Sequence, residues 1–128
     1  GVNFSISATA TGTIVFGNLP NDLDTASNSA LAGAHNLIAN SVRGVPADTI
    51  NCDPLLGALG NFGGPTMTLP LTSGSCAIGA ASITPDQSVD QRGFLRPASG
   101  QANPGADIGA FERQLADDPD LIFGNGFE

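Results

Sequence analysis

Turn-forming residues interrupt this chain so often that it has little room for long regular elements. Seventeen glycines and nine prolines lie among its 128 residues, together with many serines, threonines and asparagines. Glycine adopts backbone conformations that other residues avoid, and proline lacks a backbone donor, so both tend to end helices and strands. The sequence therefore predicts one turn-rich domain built from short β-strands.

Short stretches of alternating residues, or short apolar runs, predict where these strands lie. They fall at residues 3–9, 13–16, 33–40, 48–53, 66–71, 76–78 and 106–111. Ile14 and Leu37 hold equivalent places 23 positions apart, which is within the range at which repeats form solenoids. Asn18 and Asn40 end the two stretches, and asparagine tolerates the left-handed backbone of a coil corner, where stacked amides would form a ladder.

Five short motifs follow one another in a block from Asp53 to Glu112. They are DPLLG at 53–57, GGPT at 63–66, GSCAI at 74–78, DQRG at 90–93 and DIGAFE at 107–112. The block resembles the C-terminal segment of secreted bacterial parallel β-helix proteins, the group called choice-of-anchor Q domain proteins. Upstream, IVFGN at 14–18 and HNLI at 35–38 resemble phrases that occupy the last coils in that family.

The resemblance implies an all-β fold with three parts. Residues 1–56 would form the last coils of a right-handed parallel β-helix, and residues 57–112 a loop-rich C-terminal cap over the end of the coil stack. Residues 113–128 would form an acidic spacer and a short apolar tail. We expect the chain to be part of a longer precursor, whose upstream segment, or a second copy of the chain, stacks on the first coil.

The same resemblance predicts export, either by secretion or to the outer surface of a Gram-negative bacterium. The charge balance excludes one class of partner. The net charge is −8, and the only basic side chains are Arg43, Arg92, Arg96 and Arg113. A field of this sign repels phosphate backbones, so nucleic-acid binding is not expected. No apolar stretch of the sequence is long enough to span a bilayer.

Cys52 and Cys76 are the only cysteines, and their spacing matches neither a zinc site nor a redox motif. In an exported protein they would form a disulfide, which stabilises a fold by about 3 kcal/mol for a loop of this length. In a cytosolic protein they would be buried free thiols. The extracellular character of the remaining sequence favours the disulfide.

Asp90, Arg92, Asp107 and Glu112 are the candidate site residues of the block. We expect a structural cluster in which Arg92 pairs with Asp107 or Glu112 and fixes a long loop, because buried charges need partners. The alternative is a calcium site formed by the three carboxylates. The resembled family commonly has an acidic residue where this chain has Gly79, which weakens the metal alternative, so no cofactor is predicted, with calcium as the alternative.

No catalytic signature occurs, since the chain has neither a nucleophile elbow nor a phosphate loop, and His35 is its single histidine. The sequence therefore predicts a non-catalytic structural or adhesive module, with surface glycans as candidate ligands. One alternative is a polysaccharide lyase or hydrolase, which needs clustered acids and a base, although residues 1–56 contain only Arg43 as a basic residue. The other is a carbohydrate-binding module, although such sites favour tryptophan and tyrosine, which the chain lacks.

The last residues change in character from acidic to apolar. Asp117 to Asp120 form the spacer, and LIFGNGFE follows at 121–128. This ending resembles an IF-x-x-GFE terminus of secreted gammaproteobacterial proteins, which suggests a sorting tail. Two interpretations stay open: a disordered tail, or a strand that docks on an exposed edge through Ile122, Phe123 and Phe127.

Overall fold

A computed structural model describes residues 7–25, 29–41, 43–82, 85–98 and 105–117. Its strands are β1 (Ala8–Thr11), β2 (Ile14–Val15), β3 (Leu31–Ala34) and β4 (Leu37–Ile38). Two short 3-10 helices follow, at Pro85–Gln87 and Leu115–Asp117. Within these described ranges there is no α-helix, and no helix has the length and apolar character needed to cross a membrane.

The four strands form two separate parallel pairs. β1 pairs with β3, with Ala8 opposite Leu31, and β2 pairs with β4, with Ile14 opposite Leu37. The 23-residue offset between Ile14 and Leu37 is therefore the register that β2 and β4 adopt. An isolated parallel bridge joins Leu37 to Ile50, so β4 has a neighbour on each side.

The prediction of a right-handed parallel β-helix with a cap is wrong. The described residues form two two-stranded parallel sheets and isolated bridges, without a closed sheet or a solenoid. The physical reason is that the paired segments are too short to build a stack of coils: the strands have two or four residues, and the predicted strand at 33–40 breaks at His35, whose φ is 53°. That left-handed turn separates β3 from β4 and leaves only two residues in β4.

The predicted strands at 48–53, 66–71 and 106–111 are reduced to isolated bridges. These bridges lie at Ile50, Thr68, Leu71 and Ala106. The bridges after Ile50 are antiparallel. Residues 76–78 form a turn rather than a strand, since the Ile78 backbone N–H donates to the Ser75 carbonyl. Predicted strand 3–9 lies outside the described residues up to position 6. Glycines and prolines end each of these segments before a ladder can extend.

One hydrophobic core serves both the strand region and the loop region. Leu37, Leu71, Ala77 and Ile108 are buried together. Partly buried apolar residues pack around them: Ile14, Ile50, Cys52, Leu56, Cys76, Ile78, Ala80 and Ala81. The apolar contribution to stability is therefore shared by segments that lie far apart in the chain.

Cys52 and Cys76 are joined by a disulfide at the edge of this core. The two cysteines are thus paired rather than free. The bond links the last parallel bridge region, at Ile50, to the turn that precedes Ala77.

Candidate functional site

Charged side chains gather in one place among the loops of the second half of the chain. We call this set the buried ionic cluster. Its members are Asp90, Arg92, Arg96, Asp107, Glu112 and Arg113. It contains three acids and three bases, and so three of the four basic residues of the chain. Sequence reasoning identified four members and missed Arg96 and Arg113, which no motif marked.

Asp90 organises the turn that carries Arg92. Its Oδ1 accepts the backbone N–H groups of Arg92 and Phe94, at 2.8 and 3.1 Å. The Asp90 N–H donates to the Phe94 carbonyl at 2.8 Å, and the Gly93 N–H donates to the Asp90 carbonyl at 2.9 Å. This is the local bonding that aspartate commonly provides in turns, and it explains why an acid opens the sequence Asp-Gln-Arg-Gly.

Arg92 pairs with Asp90 rather than with the carboxylates of Asp107 or Glu112. Its Nε donates to Asp90 Oδ2 at 2.9 Å, and its Nη2 lies 2.8 Å from the same oxygen. Its contact with Glu112 is through the backbone, because Nη2 donates to the Glu112 carbonyl at 2.6 Å. The predicted partners, Asp107 and Glu112, are distant from Arg92 in the sequence. Asp90 is only two positions away, and the short turn brings its carboxylate to the Arg92 guanidinium.

The Arg92 guanidinium is also enclosed by aromatic rings. Its Cζ lies 3.6 Å from the ring centre of Phe111 and 4.5 Å from that of Phe94. The Arg92 side chain is 1% exposed and the Asp90 side chain is fully buried. A desolvated cation over aromatic faces is well stabilised. The Arg92 guanidinium is therefore stabilised both by its ion pair with Asp90 and by the two rings.

Asp107 and Glu112 use their oxygens to hold backbone N–H groups. Asp107 accepts the N–H of Gly79 at 2.8 Å and of Arg113 at 2.7 Å. Glu112 accepts the N–H of Ala98 at 3.1 Å and of Asp107 at 2.8 Å. Each carboxylate thus ties two segments of chain that are not paired in a sheet.

The segment 105–113 is held by charges on both sides of its backbone. Carboxylates accept the N–H groups of Asp107, Glu112 and Arg113. Arginines donate to the carbonyls of Asp107, Gly109 and Glu112. Arg96 Nη2 donates to the Gly109 carbonyl, and its Nη1 donates to the Asp107 carbonyl at 3.5 Å. Buried backbone groups must be paired. In this segment ionised side chains supply partners that a strand ladder would otherwise provide.

The pKa values of the three carboxyls respond to burial and to these donors. Burial acts to raise the pKa of Asp90, but hydrogen bonds from the backbone of Glu112, Phe94 and Arg92 and from the Arg92 side chain outweigh it and lower the pKa. Burial raises the pKa of Asp107, against hydrogen bonds from Arg113 and Gly79. Burial and the charge of Asp107 raise the pKa of Glu112.

A glycine pair lets the rest of the block approach the cluster. Gly63 and Gly64 have φ of 93° and 84°, the left-handed region that favours glycine. A Cβ on Gly64 would lie 2.6 Å from Arg92 Cα. The Phe62 carbonyl, just before this pair, accepts Arg92 Nη1 at 3.3 Å. The sequence Gly-Gly-Pro is therefore a close-approach corner, as its composition indicates.

The three calcium candidates belong to this network. Their oxygens face backbone and guanidinium donors, and among the described residues no group of three or more His, Cys, Asp or Glu side chains is placed to hold a metal ion. The absence of a cofactor stays a prediction, with calcium as its alternative.

Two polar residues outside the cluster were not singled out by the sequence. Asn36 is fully buried; its Oδ1 accepts the Thr13 N–H at 3.1 Å and its Nδ2 donates to the Ala10 carbonyl at 2.8 Å. Asp22 accepts the backbone N–H groups of Asn18 at 2.8 Å and of Asn40 at 3.0 Å. The two corner asparagines are thus bridged by a carboxylate and do not stack as an amide ladder.

An open groove of about 550 Å³ lies beside the core and is mainly apolar. We call it the apolar groove. Its lining includes Ile14, Phe16, Leu59, Met67, Leu69 and Phe111. Leu59 and Met67 are 58% and 59% exposed. The predicted anchors Ile122, Phe123 and Phe127 lie outside the described residues.

Comparison of this chain with family models, with curated proteins and with solved structures finds no match. The resemblance to choice-of-anchor Q domain proteins therefore stays a prediction from the five motifs.

Proposed function

We propose that the chain is a non-catalytic structural or adhesive module of an exported protein. The observation that carries this proposal is the use of the buried ionic cluster. Its carboxylates accept backbone N–H groups from several segments, and its arginines donate to carbonyls and to Asp90. Groups bound in this way hold a loop-rich chain together.

Export is supported by the disulfide between Cys52 and Cys76. Disulfides persist in oxidising compartments and are rare in the cytosol. The five motifs of residues 53–112 support the same location through their resemblance to secreted proteins. Surface glycans are the ligand class that we propose for an adhesive role.

The test exposes the full chain to a panel of acidic and neutral polysaccharides, each with and without calcium. Bound protein and released sugar are measured in the same samples. Retention on one or more glycans without new reducing or unsaturated ends is the expected result. Product formation that requires Asp107 or Glu112 would overturn the proposal in favour of a polysaccharide-active enzyme.

A further inference from the structure

We propose that segment 121–127 of this same chain docks in the apolar groove, with Ile122 and Phe123 as its anchors. This inference does not depend on the proposed function, because it concerns a contact within the chain.

The groove has the size and the chemistry of a binding site. A volume of about 550 Å³ lies within the range of clefts that hold small ligands. Leu59 and Met67 are more than half exposed, and Phe16 and Leu69 are 42% and 45% exposed. These side chains line one concave surface rather than being scattered, and a contiguous apolar surface of this kind commonly marks an interaction site.

The described chain ends close to the groove. Asp117 is fixed by two contacts, since its Oδ2 accepts the Gln114 N–H at 2.8 Å and lies 3.7 Å from Arg92 Nη1. The Arg92 guanidinium in turn stacks on Phe111 at 3.6 Å, and Phe111 lines the groove. One guanidinium therefore separates the last described residue from the wall of the groove.

The sequence beyond Asp117 fits this position. Residues 118–120 can span at most about 10 Å when extended, so Leu121 to Phe123 can reach the wall formed by Phe111. These residues and Phe127 are apolar, whereas the spacer before them is acidic. An apolar segment bonded to the protein beside an apolar groove has a high effective concentration there.

Charge favours the chain's own segment over a second copy. The net charge is −8, so two copies repel each other on approach. When a segment of the same chain binds the groove, no second protein of charge −8 has to approach.

The experiment uses the full oxidised chain with Phe123→Trp as the probe. The chain contains no tryptophan and no tyrosine, so all indole emission comes from position 123. We expect an emission maximum shifted to the blue of the urea-unfolded protein, reduced quenching by acrylamide, and no dependence on protein concentration. Replacing two groove residues, Leu59→Asn with Met67→Asn, is expected to return emission and quenching to those of the unfolded chain.

The matched control replaces two exposed leucines outside the groove, Leu19→Asn with Leu95→Asn, which are 94% and 63% exposed. It is expected to leave the emission unchanged. All four positions are more than half exposed, and circular dichroism together with thiol titration verifies that each variant is folded and oxidised.

Four results would overturn the inference. The first is water-exposed emission from the parent Phe123→Trp chain, and the second is a blue shift that survives the groove substitutions. The third is a shift that grows with protein concentration, which assigns the groove to a second copy. The fourth is a shift that requires phosphatidylglycerol-containing vesicles, which assigns the segment to a lipid surface.

Discussion

Arg92 connects several parts of the buried ionic cluster. It binds Asp90, the carbonyls of Phe62 and Glu112, and two aromatic rings. Its removal would leave the Asp90 carboxylate buried without its ionic partner. Breaking a buried pair on one side is far more costly than the pair's net contribution to stability.

We therefore expect Arg92→Ala to lower the free energy of unfolding by about 3–5 kcal/mol. Arg92→Lys should recover only part of this loss, because an ammonium lacks the planar fork and stacks poorly on aromatic rings. Urea unfolding followed by circular dichroism measures both. Arg43→Ala, at an exposed arginine, is the control, and an Arg92→Ala protein as stable as this control would contradict the structural role of the cluster.

Asp90 gives the cluster a dependence on pH. The pKa of Asp90 is lowered from its ordinary value of 3.8, so its folded form holds the charge more tightly than the unfolded chain does. The resulting stability is present above pH 3.8 and is lost as pH falls below that value through the folded pKa. Asp107 and Glu112 act with the opposite sign, because their pKa values are raised.

Asp90→Asn should accordingly be less stable than the parent at neutral pH, and the difference in unfolding free energy should shrink as pH falls below 3.8. Chemical unfolding at a series of pH values measures this difference. Asp24→Asn, at an exposed aspartate, should show no such convergence. A gap that widens on acidification would show that the charge of Asp90 does not stabilise the fold.

At the scale of elements, Asn36 connects the ends of the two short sheets. Its amide joins the Ala10 carbonyl of β1 to the Thr13 N–H just before β2. Strands of two and four residues have few ladder bonds, so one fully buried amide contributes an unusually large share of the bonding between them.

Asn36→Ala should cost about 1–3 kcal/mol, because it leaves a donor and an acceptor without partners in the interior. Hydrogen exchange of the Thr13 amide should accelerate in the variant. Asn40→Ala is the comparison, since its side chain donates to the Pro20 carbonyl at an exposed position and its loss should have a small effect. Equal stability of the two variants would show that the Asn36 bonds are not important.

The sequence predicts the elements unevenly, for reasons visible in single residues. The offset between Ile14 and Leu37 gives the register of β2 and β4, because equivalent apolar positions pair in a parallel arrangement. The break at His35 is not predictable from the sequence pattern, since the short apolar segment at 33–40 fits one continuous strand. Likewise, Arg96 and Arg113 are ordinary residues in the sequence, and only the path of the backbone brings them to Asp107.

For the whole molecule, the disulfide is the principal covalent constraint within the described residues. It links Cys52 to Cys76 across 24 positions and closes a loop that contains the Gly-Gly-Pro corner. The unfolded chain loses conformational entropy when this loop becomes ordered on folding. The disulfide already restricts the loop in the unfolded state, so less entropy is lost on folding.

Reduction, or Cys52→Ser with Cys76→Ser, should lower the free energy of unfolding by about 3 kcal/mol. Thermal unfolding of the oxidised and reduced proteins measures the change. The double variant should be insensitive to reductant, which separates the effect of the bond from that of the reagent. An unchanged midpoint after complete reduction would show that the core and the buried ionic cluster suffice.

The effect of calcium on the stability of the whole molecule tests whether the three carboxylates bind the backbone or a metal ion. The oxygens of Asp90, Asp107 and Glu112 accept N–H groups, so a cation would have to displace these donors. We expect the same unfolding midpoint in excess EDTA and in excess calcium chloride. A midpoint raised by calcium, and no longer raised after Asp107→Asn, would assign a metal site to the cluster.

The burial of Arg92, Arg96 and Arg113 has an effect on the outside of the molecule. Arg43 is the one exposed arginine, and the chain has no lysine, so nearly all of the exposed charges on the described part of the chain are negative. Dilute buffer should therefore keep neighbouring copies dispersed by mutual repulsion, and crowding or assembly of this protein should respond sharply to ionic strength and to multivalent counterions.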